Sequence, residues 1–220
     1  MRWVRDNGLS IALLLLFAVS VVGHALSGWI ANNEELVRHS AAPLTLSSYL
    51  SGGEFNATLF ENWESEFLQM WAYVMLTAYL FQRGSPESKN PDESAPQDRD
   101  PKLDRDKANA PWPVRIGGMA RVIYAHSLGW ALLILFLASF TFHWLNSTRL
   151  AIDEALQHGE TPPTLFEHLG SAALWFESFQ NWQSEFLSTA VLILLAIYLR
   201  EKGSPESKPV SAAHSQTGTD

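Results

Sequence analysis

A shift of 119 positions lays residues 2–89 on residues 121–208 without a gap, and about 32 of the 88 aligned pairs are identical. Self-similarity at a fixed period constrains the architecture before any local reading is made. The matched pairs include Leu13/Leu132, Phe17/Phe136, Ser20/Ser139, His24/His143, Glu35/Glu154, His39/His158, Asn62/Asn181, Trp63/Trp182, Ser65/Ser184 and Glu66/Glu185. The run Gly-Ser-Pro-Glu-Ser-Lys at 84–89 returns unchanged at 203–208. The chain therefore reads as a tandem duplication, with a first repeat over 1–89 and a second over 113–208. Between them, residues 90–112 are rich in Pro, Asp and Lys and poor in large apolar side chains. Such a composition cannot bury a core, so this stretch is expected to be a disordered linker, and 209–220 a disordered tail.

Each repeat holds two apolar runs. The first, at 9–30 and again at 128–145, is long enough to cross a hydrocarbon layer of ~30 Å as a helix. The second, at 67–81 and 186–199, is marginal alone. It suffices if the helix begins near Leu59 and Ser178 and takes in the Asn-Trp-x-Ser-Glu-Phe motif. The expected spans are about 9–30, 59–82, 127–146 and 178–201, with Gly84 and Gly203 stopping the second helix of each pair. Arg2 and Arg5 ahead of the first run imitate a secretory signal. The same pattern recurs internally at 121–145, where no signal peptide can lie. The expected fold is all-α: a four-helix transmembrane bundle of two tandem two-span repeats. Two spans per repeat give both copies the same orientation, related by a pseudo-two-fold axis along the membrane normal.

Basic residues set the orientation. Arg2, Arg5, Arg83, Arg115, Arg121, Arg200 and Lys202 share one side of a four-span protein, whereas the connections 31–58 and 146–177 hold only Arg38 and Arg149. The positive-inside rule then places both termini and the linker in the cytoplasm. Trp3, Trp29, Trp63, Trp144 and Trp182 lie near span ends, where interfacial anchors belong. The bilayer is the expected partner, and a homo-oligomer is compatible with it. A net charge of -8 repels phosphate and argues against nucleic acid. The absence of cysteine excludes disulfides, thiolate nucleophiles and Cys-ligated metal. Beyond Pro43 and Pro162, the segments 45–50 and 164–169 read as short amphipathic turns on the outer interface.

Ionisable residues inside a span are costly and mark function by default. On the second helix of each repeat, Asn62, Ser65, Glu66 and Gln69 recur at i, i+3, i+4 and i+7, a spacing that lays them on one face. Their counterparts are Asn181, Ser184, Glu185 and Ser188. On the first helix Ser20 precedes His24, and Ser139 precedes His143. At ~1.5 Å per residue, His24 and Glu66 reach a similar depth. The candidate paired polar site is thus His24, Asn62, Ser65, Glu66, His143, Asn181, Ser184 and Glu185. Three readings fit it: structural hydrogen bonds between helices, a water-filled path for protons or cations, and a metal or haem site built from paired histidines and glutamates. No phosphate-binding glycine loop, nucleophile elbow or triad-like grouping is present.

With Asn-Trp-x-Ser-Glu-Phe opening a span and Gly-Ser-Pro-Glu-Ser-Lys closing it, twice, the chain resembles an uncharacterised family of bacterial membrane proteins defined as a domain of unknown function. The resemblance implies a location in the bacterial inner membrane and no activity. The expected function is therefore non-catalytic, without cofactor or metal: permeation of a small solute or ion, or a structural, stress-related membrane role. The alternative is a metal- or haem-binding membrane redox protein.

Overall fold

A computed structural model describes residues 2–218. Among them are nine α-helices, two 3₁₀ turns and no strand. The first repeat contributes α1 (Arg2–Asp6), α2 (Gly8–Arg38), α3 (Leu46–Leu50) and α4 (Gly53–Tyr79). The rest comprises α5 (Trp112–Ile116), α6 (Gly118–Ala125), α7 (Ser127–His158), α8 (Leu165–Leu169) and α9 (Ala172–Tyr198).

Helices α2 and α7 have 31 and 32 residues and are long and apolar enough to cross a membrane, with mean hydropathies of 2.4 and 1.8 in their most apolar stretches. At ~1.5 Å per residue each outruns the hydrocarbon layer and continues past Glu35 and Glu154. None of the residues in α2 is buried, and Leu13, Leu14, Leu15, Leu16 and Phe17 are all exposed. Among the described residues only these two helices combine such length with such hydropathy. Helices α4 and α9 are shorter, at 27 residues each, and their apolar residues are concentrated in the second half. Glu54, Glu61, Glu64 and Glu66 fill the first half of α4, and Glu177, Gln180, Gln183 and Glu185 that of α9.

The two long helices stop by the same device. The N–H of Ala41 reaches back to the Leu36 carbonyl at 2.8 Å, and that of Glu160 to the Ala155 carbonyl at 2.8 Å. This six-to-one bond requires a left-handed residue between, supplied by Ser40 at φ 59° and Gly159 at φ 70°. The turns expected at 45–50 and 164–169 are the one-and-a-half-turn helices α3 and α8. Thr45 caps the first through the N–H of Ser48, and Thr164 forms a reciprocal capping box with Glu167 on the second.

Gly84 and Gly203 do not end α4 and α9, which stop at Tyr79 and Tyr198. They sit in the loops beyond, at φ 87° and φ 92°. Ser85 N–H donates to the Gln82 carbonyl and Ser204 N–H to the Glu201 carbonyl, so each glycine is the third residue of a tight turn that demands positive φ. Ser88 and Ser207 then accept the N–H of Gln82 and Glu201 at 2.8 and 3.0 Å. The identical hexapeptides thus close the same loop.

The stretch expected as a linker holds 3₁₀ turns at Pro96–Asp98 and Pro101–Asp104 and ion pairs Arg83–Asp92, Lys89–Asp98 and Arg99–Asp104. In the stretch expected as a tail, the carbonyls of Ala213, His214 and Gln216 surround the Lys208 ammonium at 3.1, 2.9 and 3.1 Å. Gly218 N–H reaches the Ser85 carbonyl at 3.0 Å.

The chain divides into two compact units, Met1–Phe60 with Phe142–Leu174, and Glu61–Thr141 with Trp175–Asp220. Both repeats contribute to each. In the first unit, Phe60 stacks on Phe142 with ring centroids 4.8 Å apart.

Candidate functional site

The second unit carries a series of polar contacts that join the two copies of the Asn-Trp-x-Ser-Glu-Phe segment. Asn181 donates its amide to Glu61. Trp182 Nε1 donates to Glu64 Oε1 at 2.9 Å. Gln69 Nε2 donates to Thr189 Oγ1 at 2.7 Å. Tyr73 then donates its hydroxyl to Glu87 in the loop that follows α4. From Glu61 to Tyr73 these donors and acceptors recur every three to five residues along α4 and spread over about half of its circumference. They cover about 18 Å of helix at 1.5 Å per residue.

Glu64 is wholly buried, and its indole donor is held in place by aromatic rings. Trp182 meets Phe179 and Trp175 edge to face, with centroids 5.3 and 6.2 Å away, and Phe136 at 6.2 Å. Edge-to-face contacts fix the plane of the indole and hence the direction of its N–H.

Of the residues picked out by the sequence, Ser65 is buried while Asn62 and Glu66 are exposed. Ser65 and Ser184 both return their hydroxyls to the carbonyl three residues back, Asn62 and Asn181, at 2.8 Å. Such back-bonding satisfies a serine inside a helix. Glu66 and Glu185 are electrostatic neighbours in this unit. Asn181 pairs with Glu61.

His24 and His143 belong to the first unit. His24 Nε2 lies 3.1 Å from Thr58 Oγ1, and the Thr58 hydroxyl donates to the Glu54 carbonyl at 3.0 Å. The imidazole therefore donates from Nε2, and its ring leans on Phe55 at 5.2 Å. His143 has no exposed surface. Nearby, Asn32 donates to Glu54; burial pushes the Glu54 carboxyl above its usual range, with Glu35 adding to the rise and the Asn32 bond opposing it. Among the described residues no group of three or more His, Asp or Glu is arranged to hold a metal ion.

Two further pairs in the first unit occupy matched positions. A side chain added at Gly28 would run into the Tyr49 hydroxyl. At the equivalent positions Ser147 Oγ and His168 Nε2 are hydrogen-bonded at 2.9 Å. Tyr49 and His168 are both buried.

The second unit also contains a cavity of about 310 Å³ beside the polar series. Leu76, Leu80, Phe81, Phe186 and Ile193 form its apolar wall, and Gln69, Tyr73 and Glu87 its polar end. Burial pushes the Glu87 carboxyl up, and the neighbouring carboxylate of Glu206 pushes it further. Glu87 and Glu206 are the same residue of the two identical hexapeptides, brought together.

Residues shared by the two copies within the spans do not include Glu61, Glu64 or Glu87. Glu61 and Glu64 align with Gln180 and Gln183 in the second copy, so their signal is a carboxylate in an apolar helix without a matching carboxylate. Glu87 follows its span and is matched by Glu206.

The family described as a domain of unknown function, DUF6766, matches residues 1–219. No curated protein and no solved structure matches the chain.

Proposed function

Because the chain belongs to the DUF6766 family, whose description carries no activity, we propose its function from its own polar groups. It is a non-catalytic integral protein of the bacterial inner membrane that conducts or carries a small cation. Four spans in two tandem repeats cross the bilayer, with both termini and the 90–112 stretch cytoplasmic. It binds no nucleic acid, and self-association within the bilayer is part of this reading.

The observation that supports it is the run of carboxylates and amides from Glu61 to Tyr73, joined to Asn181, Trp182 and Thr189. In lipid, carboxylates kept within long helices are costly, and they mark ion and proton routes. The exposed apolar length of α2 supports a bilayer environment, since such surface needs an apolar cover. The metal or haem alternative has less support. His24 is engaged by Thr58, and a ligand reaches the enclosed His143 only if the protein moves.

Cation flux into proteoliposomes tests the reading. Glu66→Gln and Glu185→Gln are each expected to slow flux at least tenfold, and the double variant little more than either, because two neighbouring carboxylates act as one unit. Flux equal to that of empty liposomes for the parent protein would sink it. Single cysteines at Ser47 and Ser94 test the topology with an impermeant thiol reagent: Ser47 is expected to label from outside and Ser94 not.

A further inference from the structure

We propose that the cavity bounded by Gln69, Tyr73, Glu87, Phe81, Phe186 and Ile193 is a binding site for an amphipathic organic cation, an alkyl- or arylammonium. The proposal rests on the cation reading above and names the class of cation. Three observations carry it. The cavity, at about 310 Å³, falls in the range of small-molecule sites, which are mostly apolar with a few placed polar groups. Its polar end is anionic: Glu87 accepts from Tyr73 through Oε2, while its Oε1 is buried and has no hydrogen-bond partner. Glu206 stands beside it, close enough for the two carboxyls to share a proton, and the pair then carries one negative charge.

The nearby cations are committed elsewhere. Arg83 pairs with Asp92 and Lys89 with Asp98. Lys208 takes three backbone carbonyls, and Arg200 takes those of Ile197, Leu199 and Ala212 through its terminal nitrogens, while its Nε is buried without a partner. Among the described residues no lysine or arginine forms an ion pair with Glu87 or Glu206. Two carboxyls so close need a proton between them or a positive charge from outside. A metal cation would meet only one polar end of an otherwise apolar space. An ammonium with a hydrocarbon body fills both parts. Phe186 and Tyr73 add rings of the kind that attracts quaternary ammonium, while the Phe81 ring already carries the Lys89 ammonium 5.7 Å from its centroid.

The test is calorimetric titration of the full chain in a non-ionic detergent with benzyltrimethylammonium, alongside its neutral isostere neopentylbenzene. Saturable binding at one site is expected, with the neutral compound at least tenfold weaker. Glu87→Gln should lower affinity for the cation at least tenfold and leave that for neopentylbenzene within twofold. Ile193→Trp, which fills the cavity without touching a carboxyl, should abolish both. Circular dichroism melting establishes that each variant folds; should Ile193→Trp fail it, Glu87→Gln and the isostere pair decide. Equal affinity for cation and isostere, unchanged cation affinity in Glu87→Gln, or no binding at millimolar concentration would overturn the proposal. Binding is read without a membrane. A protein that binds but does not conduct therefore refutes the permeation reading alone, and one that conducts inorganic cations but does not bind refutes this one alone.

Discussion

The indole N–H of Trp182 points at Oε1 of Glu64 across 2.9 Å, and Glu64 has no exposed surface. One copy of the Asn-Trp-x-Ser-Glu-Phe segment thus supplies a donor and the other an acceptor. The motif tryptophan and the second copy's lack of a matching carboxylate are parts of one arrangement. Trp182→Phe keeps most of the ring packing and removes the donor. It is expected to cost about 1–3 kcal/mol, the penalty for stripping a partner from a buried polar group. Chemical denaturation in detergent measures it, and Glu64→Gln in the same background should show strong coupling. Additive losses would mean that the two side chains do not depend on each other.

Gly28 is held to hydrogen by Tyr49. Gly28→Ala is expected to destabilise by about 1–3 kcal/mol through overpacking, despite alanine's better helix propensity. Tyr49→Phe, which removes the obstructing hydroxyl, should recover most of that loss. A Gly28→Ala protein that melts at or above the parent's temperature would show that Tyr49 can move aside freely.

Ser40 takes the left-handed conformation at the end of α2, at φ 59°, where α7 uses Gly159. A non-glycine residue there costs about 1 kcal/mol. Ser40→Gly is therefore expected to raise the melting temperature slightly, by an amount corresponding to about 0.5–1 kcal/mol after glycine's added chain entropy. The reverse change, Gly159→Ser, should lower it by a similar amount. The same sign for both would remove the backbone as the cause.

The Glu87 carboxyl is raised above its usual 4.5, by burial first and by Glu206 second. A carboxyl that is harder to ionise folded than unfolded stabilises the fold while protonated. That contribution is complete below the ordinary glutamate range and is lost as pH climbs through the raised folded value. Glu87→Gln cannot ionise. The gap between the variant's melting temperature and the parent's should open in the variant's favour as pH rises from about 4 to 8 across that window. Parallel melting curves over the whole range would show that this carboxyl does not titrate differently on folding.

That the chain forms four long helices was legible in the sequence because hydrophobic run length is a local signal; their ends were not, since α4 and α9 begin at Gly53 and Ala172, six residues ahead of the expected starts, and stop at Tyr79 and Tyr198. Which face of α4 turns inward was not. The spacing of Asn62, Ser65, Glu66 and Gln69 fits one stripe, yet Asn62 and Glu66 are exposed while Glu64 and Ser65 are buried. A period of 3.6 fixes which residues are neighbours but not what stands opposite them. Positions identical in the two copies mark only what the copies share. Glu61 and Glu64 matter in the contact between copies because Gln180 and Gln183 differ from them. The glycines of the hexapeptides read as helix stops because glycine commonly ends helices. Here it serves a turn five residues later, and Lys89, beyond that turn, reaches back to the Ala78 carbonyl at the end of α4.

Gly28 opposite Tyr49 and Ser147 opposite His168 solve one packing problem with different pieces: a large ring against no side chain, and a smaller ring against a hydroxyl. Neither half-solution fits the other. Serine opposite tyrosine collides, and glycine opposite histidine leaves a gap and an imidazole short of a partner. Once both positions had changed, the two copies ceased to be spare parts for each other. A gene conversion that copied only one of the two positions across would produce a weakened protein. The matched halves 2–89 and 121–208 are in that sense not interchangeable by single steps.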